Sequence, residues 1–219
     1  MADILHGRKR FLFDLDGTLV DSSSAHAASF RSARATCSEA LARDFDYAAE
    51  KGRKTREVFL RLGLDESRAT SLTVLKQRLY LEQVEAGAVQ PFPGARDLLE
   101  WLARQSRTCG LVTGASRRNA EALVQRLDLH RYFDRLVSGD DVTLGKPHPD
   151  IYLLAVRAGT IPVAECLAIE DSVGGVQAAR AAGLAVVGVH DPDAGSAADL
   201  HCADLADLLG RLRQQRGPS

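Results

Sequence analysis

Residues 10–22 read RFLFDLDGTLVDS, and this stretch decides the fold. The strand-sized run Arg10–Phe13 enters without a break into two aspartates, a glycine and a threonine. A strand whose side chains are apolar at consecutive rather than alternate positions is covered on both faces, the habit of parallel sheets between helical layers. Such sheets bind ligands beyond the carboxyl ends of their strands, so Asp14 and Asp16 stand where chemistry is expected. In an extended backbone residues i and i+2 share a face, which turns the two carboxylates together and Leu15 away.

Working outward, similar runs recur at Thr108–Thr113, Phe133–Val137, Cys166–Ile169 and Leu184–Val189. Helical patterns lie between them at Ala95–Arg104, Arg117–Leu127, Pro149–Ala158 and Val173–Ala182, with Gly183 placed as a helix-ending residue. The alternation predicts an α/β, Rossmann-like parallel sheet with helices on both faces. Residues 21–90 break the rhythm: they show no convincing strand but have helical patterning at Ala25–Thr36, Thr55–Leu62 and Ser67–Glu85. The return passes through GAVQPFPG (residues 87–94), which reads as a hinge or stiff linker. The expected organisation is a core of residues 1–20 and 91–219 interrupted by a helical cap, 21–90, with RLRQQRGPS at the end as a frayed, solvated helix tip.

Composition narrows the partners. The chain has 219 residues with 28 Lys plus Arg against 29 Asp plus Glu. A net charge of −1 argues against nucleic-acid or anionic-membrane surfaces. No apolar run approaches the roughly 20 residues of a membrane span. MADILHGRKR lacks the apolar core of a secretory signal, so a cytoplasmic location is expected. Cys37, Cys109, Cys166 and Cys202 are too scattered for a structural zinc site or a disulfide framework. Nothing demands more than a monomer, and a homodimer stays open. Only five lysines occur, so Lys146, in the loop LGKPHPD, stands out.

Strand ends supply the rest of the site: Thr113-Gly114 after one strand, with Ser116 nearby, and Glu170-Asp171-Ser172 after another. Four carboxylates at one sheet edge repel, and a hard divalent cation such as Mg²⁺ relieves the repulsion. Lys146 can neutralise a nucleophile or a phosphate oxygen, and Thr113 with the following N–H groups offers anion donors. This set suits phosphoryl transfer, where positioning and charge neutralisation carry the catalysis. One aspartate can attack phosphorus, and a second can protonate the leaving alkoxide and then deprotonate water.

FLFDLDGTLVDS, LVTGAS, GKPHPDIY and AIEDSVGGVQAARAAG, in that order, resemble the four motifs of the haloacid dehalogenase superfamily, more narrowly its phosphohydrolases with a helical cap after the first motif. The phosphoglycolate phosphatase and β-phosphoglucomutase-like subgroup is the nearest pattern. The resemblance implies Asp14 as nucleophile and Asp16 as general acid/base. It implies Mg²⁺ held by Asp14, by the Asp16 carbonyl and by Asp171, with Glu170 adding a direct or water-mediated contact. Thr113, Gly114 and Lys146 would grip the phosphoryl group. His26, Arg53, Lys54 and Arg56 are the cap residues expected near substrate. Thr55 stands where β-phosphoglucomutase has an arginine, a departure that weakens the mutase reading. The expected function is a Mg²⁺-dependent phosphatase of a small phosphorylated metabolite acting through an aspartyl-phosphate. A hexose-phosphate mutase and a non-catalytic phospho-acceptor or phosphate-binding protein remain as alternatives.

Overall fold

The computed structural model describes residues 4–37, 45–51, 53–157 and 160–215. Strand β1 (Arg10–Phe13) leads through a tight loop to the two-residue β2 (Val20–Asp21). The insertion follows, with helices α1 (Ser23–Ala35), α2 (Thr55–Arg61) and α3 (Glu66–Glu85), and the chain returns through β3 (Gln90–Pro91). β2 and β3 pair antiparallel, Val20 with Pro91 and Asp21 with Gln90. This ribbon at the ends of the insertion has no counterpart in the sequence reading, because two residues carry no periodicity.

The remaining chain builds α4 (Ala95–Arg104), β4 (Thr108–Val112), α5 (Arg117–Arg126), β5 (Phe133–Val137), α6 (Asp150–Arg157), β6 (Cys166–Glu170), α7 (Val173–Ala181), β7 (Ala185–Val189), α8 (Pro192–Ala197), β8 (Leu200–Cys202) and α9 (Leu205–Gln214). The sheet is parallel, in the order β5-β4-β1-β6-β7-β8. Alternate side chains of β1 divide between two cores. Phe11 and Phe13 pack with Leu98, Leu99, Leu123 and Leu208, and Leu12 packs with Ile151, Val176 and Ala179 on the other face. Helices therefore cover both faces, as the consecutive apolar runs imply. The exception is β5, the sheet edge, where Asp134 and Arg135 are exposed.

The frayed tip is corrected in part. Leu205, Leu208, Leu209 and Leu212 form one buried stripe of α9, so the helix is packed through Leu212, and residues 216–219 lie outside the described residues. Ala158 and Gly52 lie outside them as well. Trp101 packs against the core from α4, as its helical spacing suggests. In the cap, Phe30, Val58, Phe59, Ala69 and Leu72 form a separate small core. Ala25, Tyr80 and Val84 instead join the core beneath the sheet, which ties cap to core. No helix among the described residues is long and apolar enough to cross a membrane.

Candidate active site

Register assembles the acidic cluster. Phe13 pairs with Leu111 of β4 and Ile169 of β6, so the next residue on each strand, Asp14, Val112 and Glu170, stands level at the carboxyl edge. The Asp14 N–H still donates to the Ile169 carbonyl at 3.0 Å, fixing the backbone under the carboxylate. Ser172 caps α7 by accepting from the Gly175 N–H, which leaves the Asp171 carboxylate for other partners. Asp14, Glu170 and Asp171 each offer an oxygen within 4.8 Å of the others, and all three are buried. Two glycines make the room. A Cβ on Gly17, whose φ is +92°, would lie 2.1 Å from Asp171 Oδ2, and one on Gly175 would lie 2.0 Å from Glu170 Oε2. No side chain fits at either place.

Lys146 is the cation inside this cluster. It is 1% exposed, and its Nζ donates to Asp14 Oδ1 and Glu170 Oε1, both at 2.6 Å, and to the Val112 carbonyl at 3.2 Å. Tyr152 donates to the same Glu170 oxygen at 2.6 Å. Burial pushes the Asp14 carboxyl well above the ordinary range against the pull of Lys146, and Glu170 and Asp171 push it the same way. Burial likewise raises Asp171 to about 6 although Lys51 holds it down. Against burial, Asp14 and Glu170 raise the Lys146 pKa and keep its ammonium charged. Three hard, clustered oxygen donors with this excess of acid fit a divalent metal ion, and they can hold one.

Asp16 turns toward the cap. Its Oδ1 accepts from the Tyr80 hydroxyl at 2.9 Å and lies 3.0 Å from His26 Nε2. His26 is buried, stacked between Tyr80 and Tyr47 at centroid distances of 4.0 and 5.3 Å. Its Nδ1 sits 2.6 Å from Lys76 Nζ. While Lys76 is charged it only donates, so Nδ1 accepts and the proton of the neutral ring is then on Nε2, facing Asp16. Burial first, and Lys76 second, depress the His26 pKa and keep that ring neutral.

Lys76 and Tyr80, four residues apart, lie on the buried stripe of α3 with Ala69, Leu72 and Val84. Burial lowers Lys76 from 10.5 to about 7, with Asp16 opposing. Between those values the unfolded chain binds more protons, so Lys76 contributes a stability that rises with pH from about 7 toward 10.5. Lys76→Met is expected to remove that rise. Urea midpoints of wild type and variant, compared from about pH 7 to about pH 9, should converge on going up in pH, with the variant the more stable at the lower end. A gap that stays constant would contradict a depressed Lys76.

The other expected site residues divide. Thr113 is buried at the end of β4, its hydroxyl accepting from the Ala115 N–H, and Thr113, Gly114 and Ser116 line the same pocket as Asp14, Asp16, His26 and Arg53. Lys54 instead donates to the Val142 carbonyl at 2.8 Å, while the nearby Glu57 accepts from the Gly145 N–H, so this pair clamps cap to core. Arg56 is paired with Glu66 on the surface of the cap and is not among the pocket residues. Lys54 stands at the N-cap of α2 and Arg56 lies in its first turn, and neither lines the pocket that Arg53 and Thr55 line. Lys51, which the sequence reading left within the basic run, donates to Asp171 Oδ2 at 3.1 Å. Thr18 donates to Asp171 Oδ1 at 3.2 Å and, with Tyr80, Lys76 and Tyr152, was not singled out from the sequence.

The site defines a hydrolase of a recognised class. A haloacid dehalogenase-like hydrolase family model matches residues 9–183, and the chain belongs to that family. It is 32% identical over 175 residues to a phosphorylated carbohydrates phosphatase of Thermotoga maritima, covering 79% of this chain and 81% of that one. It is also 32% identical over 211 residues to a phosphoglycolate phosphatase of Salmonella typhimurium, covering 85% and 83%. The structure of CbbY from Rhodobacter sphaeroides in complex with phosphate superposes with a TM-score of 0.79 at 26% identity, covering 92% of this chain and 96% of that one.

Proposed function

We propose that this enzyme is a Mg²⁺-dependent phosphatase of small phosphomonoesters, sugar phosphates or phosphoglycolate among them, working through an aspartyl-phosphate. The observation that carries the reading is the buried pairing of Asp14 with Lys146 beside Glu170 and Asp171, with Asp16 lining the same pocket from the same loop. Asp14 is the nucleophile: a carboxylate oxygen bonds to phosphorus as the bond to the leaving oxygen breaks, and Asp16 gives that oxygen a proton. Asp16 then takes a proton from water as it attacks the acyl phosphate, releasing phosphate and restoring Asp14. His26, held by Lys76 and the two tyrosines, orients Asp16 for both transfers. Thr113, Gly114 and Lys146 bind the phosphoryl oxygens. Asp14, the Asp16 carbonyl, Asp171 and Glu170 would hold Mg²⁺, which when bound neutralises charge on the phosphoryl group.

Residues 21–90 act as the lid. With the cap as it stands the pocket has about 30 Å³ of free volume, room for one or two waters and for no phosphomonoester, so the cap parts to admit substrate and closes to exclude water. The expected location is cytoplasmic, where small phosphorylated metabolites are found. Chelation is expected to stop phosphate release and added Mg²⁺ to restore it. The same experiment, scored over a phosphomonoester panel with acid-quenched protein examined for an acid-stable, hydroxylamine-sensitive phosphoryl adduct, tests the whole reading. Turnover that survives complete chelation, or that yields no such adduct in a rapid quench, would contradict it.

A further inference from the structure

The pocket has a wall that the chemistry above does not use. Glu50, Thr55 and Gln77 approach from the cap, and Asn119 approaches from α5 of the core. Asn119 is 3% exposed. Its Nδ2 donates to the Gln77 carbonyl at 3.3 Å, and because a carbonyl only accepts, that bond fixes the amide's orientation. Oδ1 is left buried, in a residue lining the pocket, with no hydrogen-bond partner among the described residues. Ser116 accepts from the Asn119 N–H as the helix cap, and among the described residues no hydrogen bond joins its hydroxyl to Oδ1. A buried carbonyl oxygen without a donor is unfavourable, and its place on the pocket wall lets a donor on the substrate relieve it.

The charges nearby say what that group is. Glu50 adds a second acceptor, a carboxylate held 3.2 Å from Arg53 Nε and 3.5 Å from Arg61 Nε. Each cation on the pocket wall already has a partner, Arg53 through Nε to Glu50 and Lys76 to His26 Nδ1 at 2.6 Å. An acidic second group on the substrate would meet an amide oxygen and a carboxylate. A hydroxyl would donate to either. We infer that Asn119, with Glu50, is a hydroxyl-reading subsite, and that the organic part of the substrate is a polyhydroxy chain, a sugar or polyol, rather than a carboxylic acid. The inference rests on the phosphatase reading and narrows it.

Matched pairs of equal carbon number test it: glycerol 3-phosphate against 3-phosphoglycerate, and sorbitol 6-phosphate against 6-phosphogluconate. Wild type is expected to favour the alcohol of the better-used pair by about tenfold or more in kcat/KM, the size of one well-placed hydrogen bond lost plus a repulsion gained. Asn119→Leu, nearly isosteric but without the acceptor, is expected to bring that ratio within about threefold, chiefly through KM for the alcohol. The ratio is the readout because loss of folded enzyme scales both members of a pair equally. A wild-type preference for the acid, or a ratio untouched by Asn119→Leu, would overturn the subsite. Failure of wild type to hydrolyse even p-nitrophenyl phosphate would instead sink the phosphatase reading beneath it.

Discussion

Asp14→Asn is expected to abolish hydrolysis of p-nitrophenyl phosphate, lowering kcat by at least about a thousandfold, with the fold unharmed. The amide keeps the shape of the carboxylate and can still accept from Lys146 Nζ, which stands 2.6 Å from Oδ1. What it loses is the anionic oxygen that, in the proposed mechanism, attacks phosphorus. Stability should not follow activity down. Because burial with two neighbouring carboxylates raises the Asp14 pKa, ionising this group opposes folding above the ordinary carboxylate range. A neutral amide removes that opposition, so the melting temperature at neutral pH is expected to hold or rise. An Asp14→Asn protein that turns over at more than about one hundredth of the wild-type rate would remove Asp14 from the role of nucleophile.

The second large effect is expected at Lys146, and here activity and stability fall together. Lys146→Met leaves the Asp14 and Glu170 carboxylates and the Val112 carbonyl facing a thioether in a site that is 1% exposed. Removing one partner of a buried ion pair leaves an uncompensated charge, destabilising by about 3–5 kcal/mol. Part of that loss should be recovered on lowering the pH from neutral to about 5, toward the protonated side of a carboxyl whose pKa burial raises. If Lys146 meets the phosphoryl oxygens as proposed, losing its charge should lower kcat by about a hundredfold or more. Urea unfolding at the two pH values, with kcat on the folded fraction, checks both halves. A variant as stable as wild type at neutral pH would show that the Lys146 bridge is not what holds the cluster.

Much of this was legible because the informative residues are ordered along the backbone. Arg10–Phe13 announces a strand covered on both sides, and the parallel register then carries Asp14, Thr113 and Glu170 to one edge without help from side chains. The family motifs fix the same positions. In the cap, facing depends on how helices cross, and local sequence does not hold that information. A run with Lys51, Arg53, Lys54 and Arg56 shows that cations are present but not which of them meets Asp171, Glu50, the Val142 carbonyl or Glu66. One signal was available. On α3 the buried stripe of Ala69, Leu72, Lys76, Tyr80 and Val84 carries a lysine where an apolar residue is expected, and a cation on an inward stripe marks a helix that faces a polar site. Asn119 offered no such clue, since an asparagine in the first turn of a helix is ordinary until its partners are seen.

The short ribbon of β2 and β3 places the start and the end of the insertion side by side, Val20 against Pro91 and Asp21 against Gln90. The two ends thus stand one strand spacing apart, about 4.8 Å, however large the loop between them. For the sheet, the whole helical segment is the equivalent of a hairpin turn. The loop between the two ends can change in length while both attachment points on the sheet keep their places. That doorway does not make the two parts independent: Tyr80 and His26 of the insertion reach Asp16 and Lys51 reaches Asp171, so an exchanged segment must bring equivalents of those contacts.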